Sequence, residues 1–189
     1  RLAMFRDPSR DPLAHAQLVP YESAESHFAF MRRLNQTMTL AVMFRDRPVG
    51  RVTARGFEYA LAEEDQPGWL DALRTGARVM FAAGARRVFF NSHRPLILNR
   101  PADIDAMLTA DLVRQDPIQI TSRHPSGGCG LGGIPKRDVV DSRGRSWDVD
   151  GLYVADSSIL PTSLGVNPCY TVYALGRYIA QGIVEDMRT

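Results

Sequence analysis

The stretch on which the fold turns is Gly151-Leu152-Tyr153-Val154-Ala155-Asp156-Ser157-Ser158-Ile159-Leu160-Pro161. Leu152 to Ala155 is a short all-apolar run between Gly151 and Asp156, the pattern of a strand covered on both faces in a parallel sheet. Residues just past the carboxyl end of such a strand line ligand crevices. That position brings Asp156 and Ser157 forward as binding residues, although Asp and Ser are equally at home in a turn or cap. A little further on, Gly165-Val166-Asn167-Pro168 opens a helix expected from about Pro168 to Met187. Its apolar face is Val172, Leu175, Ile179 and Ile183, at helical spacing. Asn is a favoured N-cap and Pro a favoured first helical residue.

Working upstream, Arg123-His124-Pro125-Ser126-Gly127-Gly128-Cys129 begins a glycine-rich stretch that runs through Gly133. Gly128, Gly130 and Gly133 formally satisfy G-x-G-x-x-G. A dinucleotide fingerprint needs a strand before it and a helix after it, because the helix N-terminus holds the pyrophosphate. Ile134-Pro135-Lys136-Arg137-Asp138 is no helix start, so the match is rejected. The glycines are read instead as allowing positive φ and close backbone approach to something bulky. Taken singly, His124 reads as a structural histidine, and His15, His27 and His93 have no companions in sequence. Cys129 and Cys169 read as small buried hydrophobes. A nucleophilic pair of either with His124 is the weaker alternative, since nothing nearby in sequence stabilises a thiolate. No His/Cys/Asp spacing resembles a metal site.

The first half has a different character. Three prolines and many charges make the first twenty residues an irregular connection or edge segment. Phe28, Met31 and Leu34 give a helix signal over Tyr21–Leu34. Thr37–Phe44, Val49–Ala54 and Phe57–Leu61 read as strands, their close spacing and the Arg45–Pro48 turn favouring antiparallel hairpins. Asp65 and Pro67 start a helix whose apolar face is Leu70, Leu73, Ala77, Met80 and Phe81, and Gly84 ends it. Arg86–Phe90 reads as a strand, Pro101–Leu112 as helical and Ile118–Ser122 as extended. Asp141-Ser142-Arg143-Gly144 reads as a turn. The chain has 189 residues, 44% hydrophobic and 23% charged, a globular balance that excludes disorder. A net charge of +2, without a basic run interleaved with aromatics, gives no reason to expect nucleic acid. No apolar stretch approaches 18 residues, so no membrane span is expected, and two cysteines do not make a disulfide framework. The start at Arg1, without initiator Met or apolar signal core, reads as a fragment or processed piece, with a cytoplasmic location favoured.

Taken in order, His124-Pro-Ser-Gly-Gly-Cys129, Val139-Val140-Asp141, Gly151 to Pro161, Gly165-Val-Asn-Pro168 and a final helix resemble the C-terminal part of glucose–methanol–choline (GMC) flavoprotein oxidoreductases. The wording is most similar to the cholesterol oxidase and bacterial alcohol dehydrogenase branch. Residues 121–189 carry the close match, and Thr37–Phe90 is a looser match to the end of that family's substrate domain.

The resemblance implies an α+β / α/β fold, the C-terminal fragment of a two-domain FAD-dependent oxidoreductase. Residues 1–120 would be part of a substrate-binding domain of antiparallel strands and helices. Residues 121–189 would be the C-terminal part of an FAD-binding domain, with the last strand and helix of a Rossmann-like sheet. In such enzymes a His, and a His or Asn some forty residues later, sit over the flavin; here they are His124 and Asn167. His124 would be the general base on a small-molecule alcohol, and Asn167 would hydrogen-bond its oxygen. Asp156, Ser157, Asn167, Pro168 and Cys169 would bind FAD, the helix N-terminus favouring the negative charge of a reduced flavin. Ser157 stands where many relatives have Gly or Ala. The βαβ unit with the phosphate-binding glycines is absent, so the implied partner is an N-terminal FAD-binding portion, in the same polypeptide or a separate chain. The equivalent of the cholesterol oxidase substrate-domain carboxylate has no clear position; Glu58, Glu63 and Glu64 read as solvated charges. Two rival readings are a flavin-fold lyase without net redox chemistry and a non-catalytic fragment or subunit that only binds a partner.

Overall fold

The computed structural model describes residues 3–6, 12, 16, 19, 21–92, 94–114 and 118–188. His15 and His93 lie outside the described residues, as do most of the first twenty. The chain divides into two compact units, Arg1–Phe44 with Glu63–Thr121, and Arg45–Ala62 with Ser122–Thr189. Residues 45–62, read from sequence with the first half, thus fold with the second unit.

The first unit is built around one helix. β1 (Ala3–Arg6) pairs antiparallel with β2 (Leu40–Met43). Between them in sequence, α1 (Ala24–Met31) starts on a reciprocal Ser23–Ser26 capping box. The helix expected after Asp65 is α2 (Gln66–Ala82), and it buries Trp69, Leu70, Ala72, Leu73, Gly76 and Ala77. Met80 and Phe81, expected on the same face, are only half-buried. Gly76 is where the helix rests on β2: a Cβ there would stand 2.7 Å from Val42 Cγ2. Gly84, at φ +92°, ends the helix with its N–H on the Phe81 carbonyl and that of Ala85 on Met80, a Schellman closure. β5 (Val88–Phe89) and β6 (Ile97–Leu98) follow, paired antiparallel; β3 and β4 belong to the second unit. The expected single helix over 101–112 is two short ones, α3 (Asp103–Met107) and α4 (Ala110–Arg114). They are separated where the Arg74 guanidinium donates twice to the Leu108 carbonyl, at 3.0 and 2.6 Å. Leu98, Ile104 and Leu108 are fully covered.

The second unit holds β3 (Arg51–Thr53) and β4 (Gly56–Glu58), an antiparallel hairpin with Val52 opposite Phe57. Its C-terminal helix, α5 (Cys169–Asp186), packs Ile179 against Val140 and Ile159, with Leu175, Ile183, Leu131, Tyr153 and Val154 around them.

The segment Leu152–Ala155 differs from expectation. Tyr153 makes a single antiparallel bridge with Arg145, Val154 N–H donates to the Gly144 carbonyl at 2.8 Å, and Leu152 is 48% exposed. The expected last strand of a Rossmann-like sheet is therefore not formed among the described residues, whose sheets are small and antiparallel. The physical reason is that an extended apolar run becomes a strand only through neighbours that complete its hydrogen bonds. Here, among the described residues, the neighbour is the short Gly144–Ser146 segment.

Candidate functional site

The site residues lie on three consecutive features of the second unit. The first is the glycine loop. Gly127 and Gly128 have φ of +85° and +106°, a region closed to most side-chain-bearing residues. The second is the turn after Ala155. Asp156 is extended and caps the short 3-10 turn Ser157–Ile159, its Oδ1 accepting the Ser158 N–H at 2.8 Å. The Ser158 hydroxyl and N–H hold the Asp156 carboxyl below its ordinary range, against a smaller opposing effect of burial.

These two features are zipped together. The N–H groups of Gly127, Cys129 and Leu131 donate to the carbonyls of Ser157, Ser158 and Ile159 at 3.2, 3.0 and 3.2 Å. Ser157 Oγ donates to the Pro125 carbonyl at 2.9 Å, next to His124. Ile159, buried to 1% exposure, anchors the zipper in the core. His124 is thus fixed through its neighbour to the Asp156–Ser157 turn, and the residue is half-buried. Sequence reasoning did not find this pairing, because alternate residues of a glycine loop carry no pattern that names their partners.

The G-x-G-x-x-G match ends in a turn rather than a helix. Arg137 and Asp138 N–H groups both return to the Ile134 carbonyl, at 2.9 and 2.8 Å, and Asp138 Oδ2 accepts from Ile134 N–H. Gly132 is required here by close approach, since a Cβ on it would collide with the Asp138 carboxylate.

The third feature is the start of α5. The expected N-cap, Asn167, is corrected to Pro168: Val172 N–H closes the first turn on the Pro168 carbonyl at 2.8 Å, and no side chain caps the helix. A proline at that position loses nothing, because it has no N–H to satisfy. Asn167 and Cys169 are exposed and Pro168 half-buried. The exposed first turn presents N–H groups and a partial positive charge. The neighbouring Cys169 thiol, by hydrogen bonding, pushes the Tyr173 phenol upward. Cys129 and Cys169 are free thiols, neither of them fully buried as expected. Among the described residues no hydrogen bond joins His124 to Asn167, and no group of three or more His, Cys, Asp or Glu comes together.

A second approach to these loops comes from residues 45–62. Arg45 Nη2 donates to Thr162 Oγ1 at 3.1 Å, and the Arg45 side chain lies 3.6 Å from where a Cβ on Gly165 would stand. Val52 Cγ2 lies 3.9 Å from the same point on Gly128. The Arg45–Thr162 contact spans 117 residues of sequence, beyond any local motif. Glu58, as expected, is a solvated charge paired with Arg51, and Glu63 and Glu64 are exposed. An open depression lined by Arg177, Gln181 and Arg188 lies at least ten residues along α5 from Asn167 and is exposed helix surface, apart from these loops.

The glycine loop, the acidic turn and the open helix start all lie in the second unit, and comparison with known proteins gives the family. The chain belongs to the GMC oxidoreductase family, whose C-terminal model matches residues 46–176. A long-chain-alcohol oxidase of Arabidopsis thaliana is 30% identical over 96% of this chain and 25% of its own length. A second long-chain-alcohol oxidase of that plant is 25% identical over 98% of this chain and 27% of its own. A cholesterol oxidase of Acinetobacter baumannii is 46% identical over 28% of this chain and 9% of its own. The chain spans about a quarter of the length of the long-chain-alcohol oxidases it matches. No solved structure matches it. No helix among the described residues is long and apolar enough to cross a membrane.

Proposed function

We propose that this chain is the C-terminal part of an FAD-dependent alcohol oxidase or dehydrogenase, with His124 and Asn167 as its catalytic pair. The observation that carries the reading is the zipper that fixes the His124 loop onto the Asp156–Ile159 turn. It ties the His124 loop to the Asp156–Ser157 turn, which supports reading the two as parts of one site. Family membership and the long-chain-alcohol oxidase relatives support an alcohol as substrate, one with an extended hydrocarbon part.

The residues fit the ring end of FAD. The first turn of α5 offers N–H groups and positive potential without a competing side-chain cap. Gly127 and Gly128 leave backbone bare beside His124. Asp156, Ser157, Asn167, Pro168 and Cys169 are the residues that would hold the group. Bound FAD would supply a two-electron acceptor that takes the carbinol hydride at N5. The protein's part is then placement and proton transfer. The His124 imidazole accepts the hydroxyl proton as general base. The Asn167 carboxamide donates a hydrogen bond to the substrate oxygen. The helix N-terminus stabilises negative charge gained by the ring. We assign the first unit, within residues 1–120, to the substrate-binding domain, and residues 121–189, with which 45–62 fold, to the FAD-binding domain; the phosphate-binding turn is assigned to the remaining N-terminal portion.

The test is His124→Ala in the full-length, flavin-loaded protein. Anaerobic reduction by a primary alcohol should slow about 10²–10⁴-fold, while FAD retention stays unchanged. An unaltered reduction rate removes His124 from the reaction. Failure of any alcohol to bleach the wild-type flavin favours a lyase or non-catalytic role.

A further inference from the structure

We infer that the arm from Arg45 to Tyr59 recognises the hydrocarbon part of the substrate through Val52 and Phe57; this rests on the alcohol-oxidising reading above. The arm is seated on both loops of the candidate site. Arg45 holds the 162–165 loop, which leads two residues later to Asn167. Val52 meets Gly128, four residues beyond His124. The arm is therefore anchored both on the loop that carries His124 and on the one that leads to Asn167. The base of the arm is closed by Tyr59 OH donating to Asp46 Oδ2 at 2.8 Å.

The hairpin has two unlike faces, because side chains alternate along a strand. Arg51 and Glu58 are directly opposed and neutralise each other at 2.9 Å. Val52 and Phe57 are directly opposed on the other face, and they are 74% and 82% exposed. Opposed pairs of this kind stand about 5 Å apart and make a continuous apolar strip. The strip carries no hydrogen-bonding atom, so it selects by apolar area and not by a polar tag. Gly128 carries no side chain where Val52 approaches it. The matching ligand is an alkyl chain whose hydroxyl reaches the loop tips. Each methylene that such a surface buries contributes up to about fourfold in binding.

The experiment uses the full-length, flavin-loaded protein with Val52→Ser and Phe57→Ser, singly and combined, and the near-isosteric Val52→Thr. The readout is kcat/KM on 1-octanol against 1-butanol. The combined variant should lower the octanol preference about tenfold, with butanol losing about twofold, and Val52→Thr should shift it less in the same direction. Equal losses on both alcohols, or loss of flavin retention, would show that another part of the polypeptide covers the strip and would overturn the inference. So would an unchanged preference. Calorimetric binding of the two alcohols to the His124→Ala protein, with and without the hairpin changes, reads the strip without turnover. A wild type that no alcohol reduces, yet whose octanol affinity falls with the hairpin changes, would sink the reaction and keep the strip.

Discussion

Asp156 shows how one side chain serves both fold and site. Its carboxylate caps the Ser157–Ile159 turn, and that turn supplies the carbonyls for the glycine loop. Asp156→Ala should cost about 1 kcal/mol, as loss of a cap does, measured by urea denaturation of this chain. The pH dependence follows from the direction of its shift. Its folded pKa lies below the ordinary value of about 3.9, so its contribution is complete above that value and is lost as pH falls through the folded pKa. Asp156→Asn should therefore flatten the acid limb of the stability profile while leaving the turn partly capped. Gly127 is the companion case. At φ +85° an alanine costs about 1–2 kcal/mol, and the strain falls beside His124. Gly127→Ala should lower both the denaturation midpoint and the rate of flavin reduction. A change in neither would mean that the loop relaxes freely.

At the scale of elements, legibility tracked how local the determining interactions are. α2 was readable because its stripe and its terminating Gly84 are written within twenty residues. The β3–β4 hairpin was readable for the same reason, as alternating residues around a tight turn. The pairing of β1 with β2 was not, because it joins residues about forty positions apart. Leu152–Ala155 was read as a buried strand because a run of four apolar residues looks the same whether or not it has ladder partners. Asn167 was read as a cap because propensity favours it, yet the first turn closes on Pro168. The site divided along the same line. His124 and Asn167 came forward through their motifs, whereas the zipper to residues 157–159 and the Arg45–Thr162 contact are tertiary facts with no local signature. The α2–β2 contact also carries a prediction. Gly76→Ala drives a methyl to 2.7 Å from Val42 Cγ2, an overpacking that should cost about 1–3 kcal/mol. Combining it with Val42→Ala should recover part of that loss, because the second change removes the colliding group. Thermal denaturation of the single and double variants checks this, and additive losses would show the two sites to be uncoupled.

At the scale of the whole molecule, the outer side of α5 leaves large apolar side chains exposed. Its inner side packs Leu175, Ile179 and Ile183 into the core, and Arg143 grips the Gly182 carbonyl and Glu185 at its end. On another side Tyr170 and Tyr173 near its start, and Val184 and Met187 near its end, are 87%, 69%, 48% and 82% exposed, with Arg177 and Gln181 between the two pairs. Exposed apolar pairs of this kind mark surfaces that another part of a protein covers. The inner side is satisfied by the second unit itself. We assign the outer pairs to the N-terminal FAD-binding portion proposed above, which would also complete the cofactor site. The chain by itself should then associate as its concentration rises, and should lose added FAD on desalting. Val184→Glu with Met187→Glu should suppress that association without lowering the melting temperature, because neither side chain belongs to the core cluster. In the full-length protein the same pair should weaken flavin retention, through loss of the seat on which the FAD-binding portion rests. Light scattering on size-exclusion fractions and flavin absorbance after desalting read the two effects. A chain that stays monomeric at every concentration, together with full-length double-variant protein that keeps its flavin, would leave the pairs with no partner to cover them.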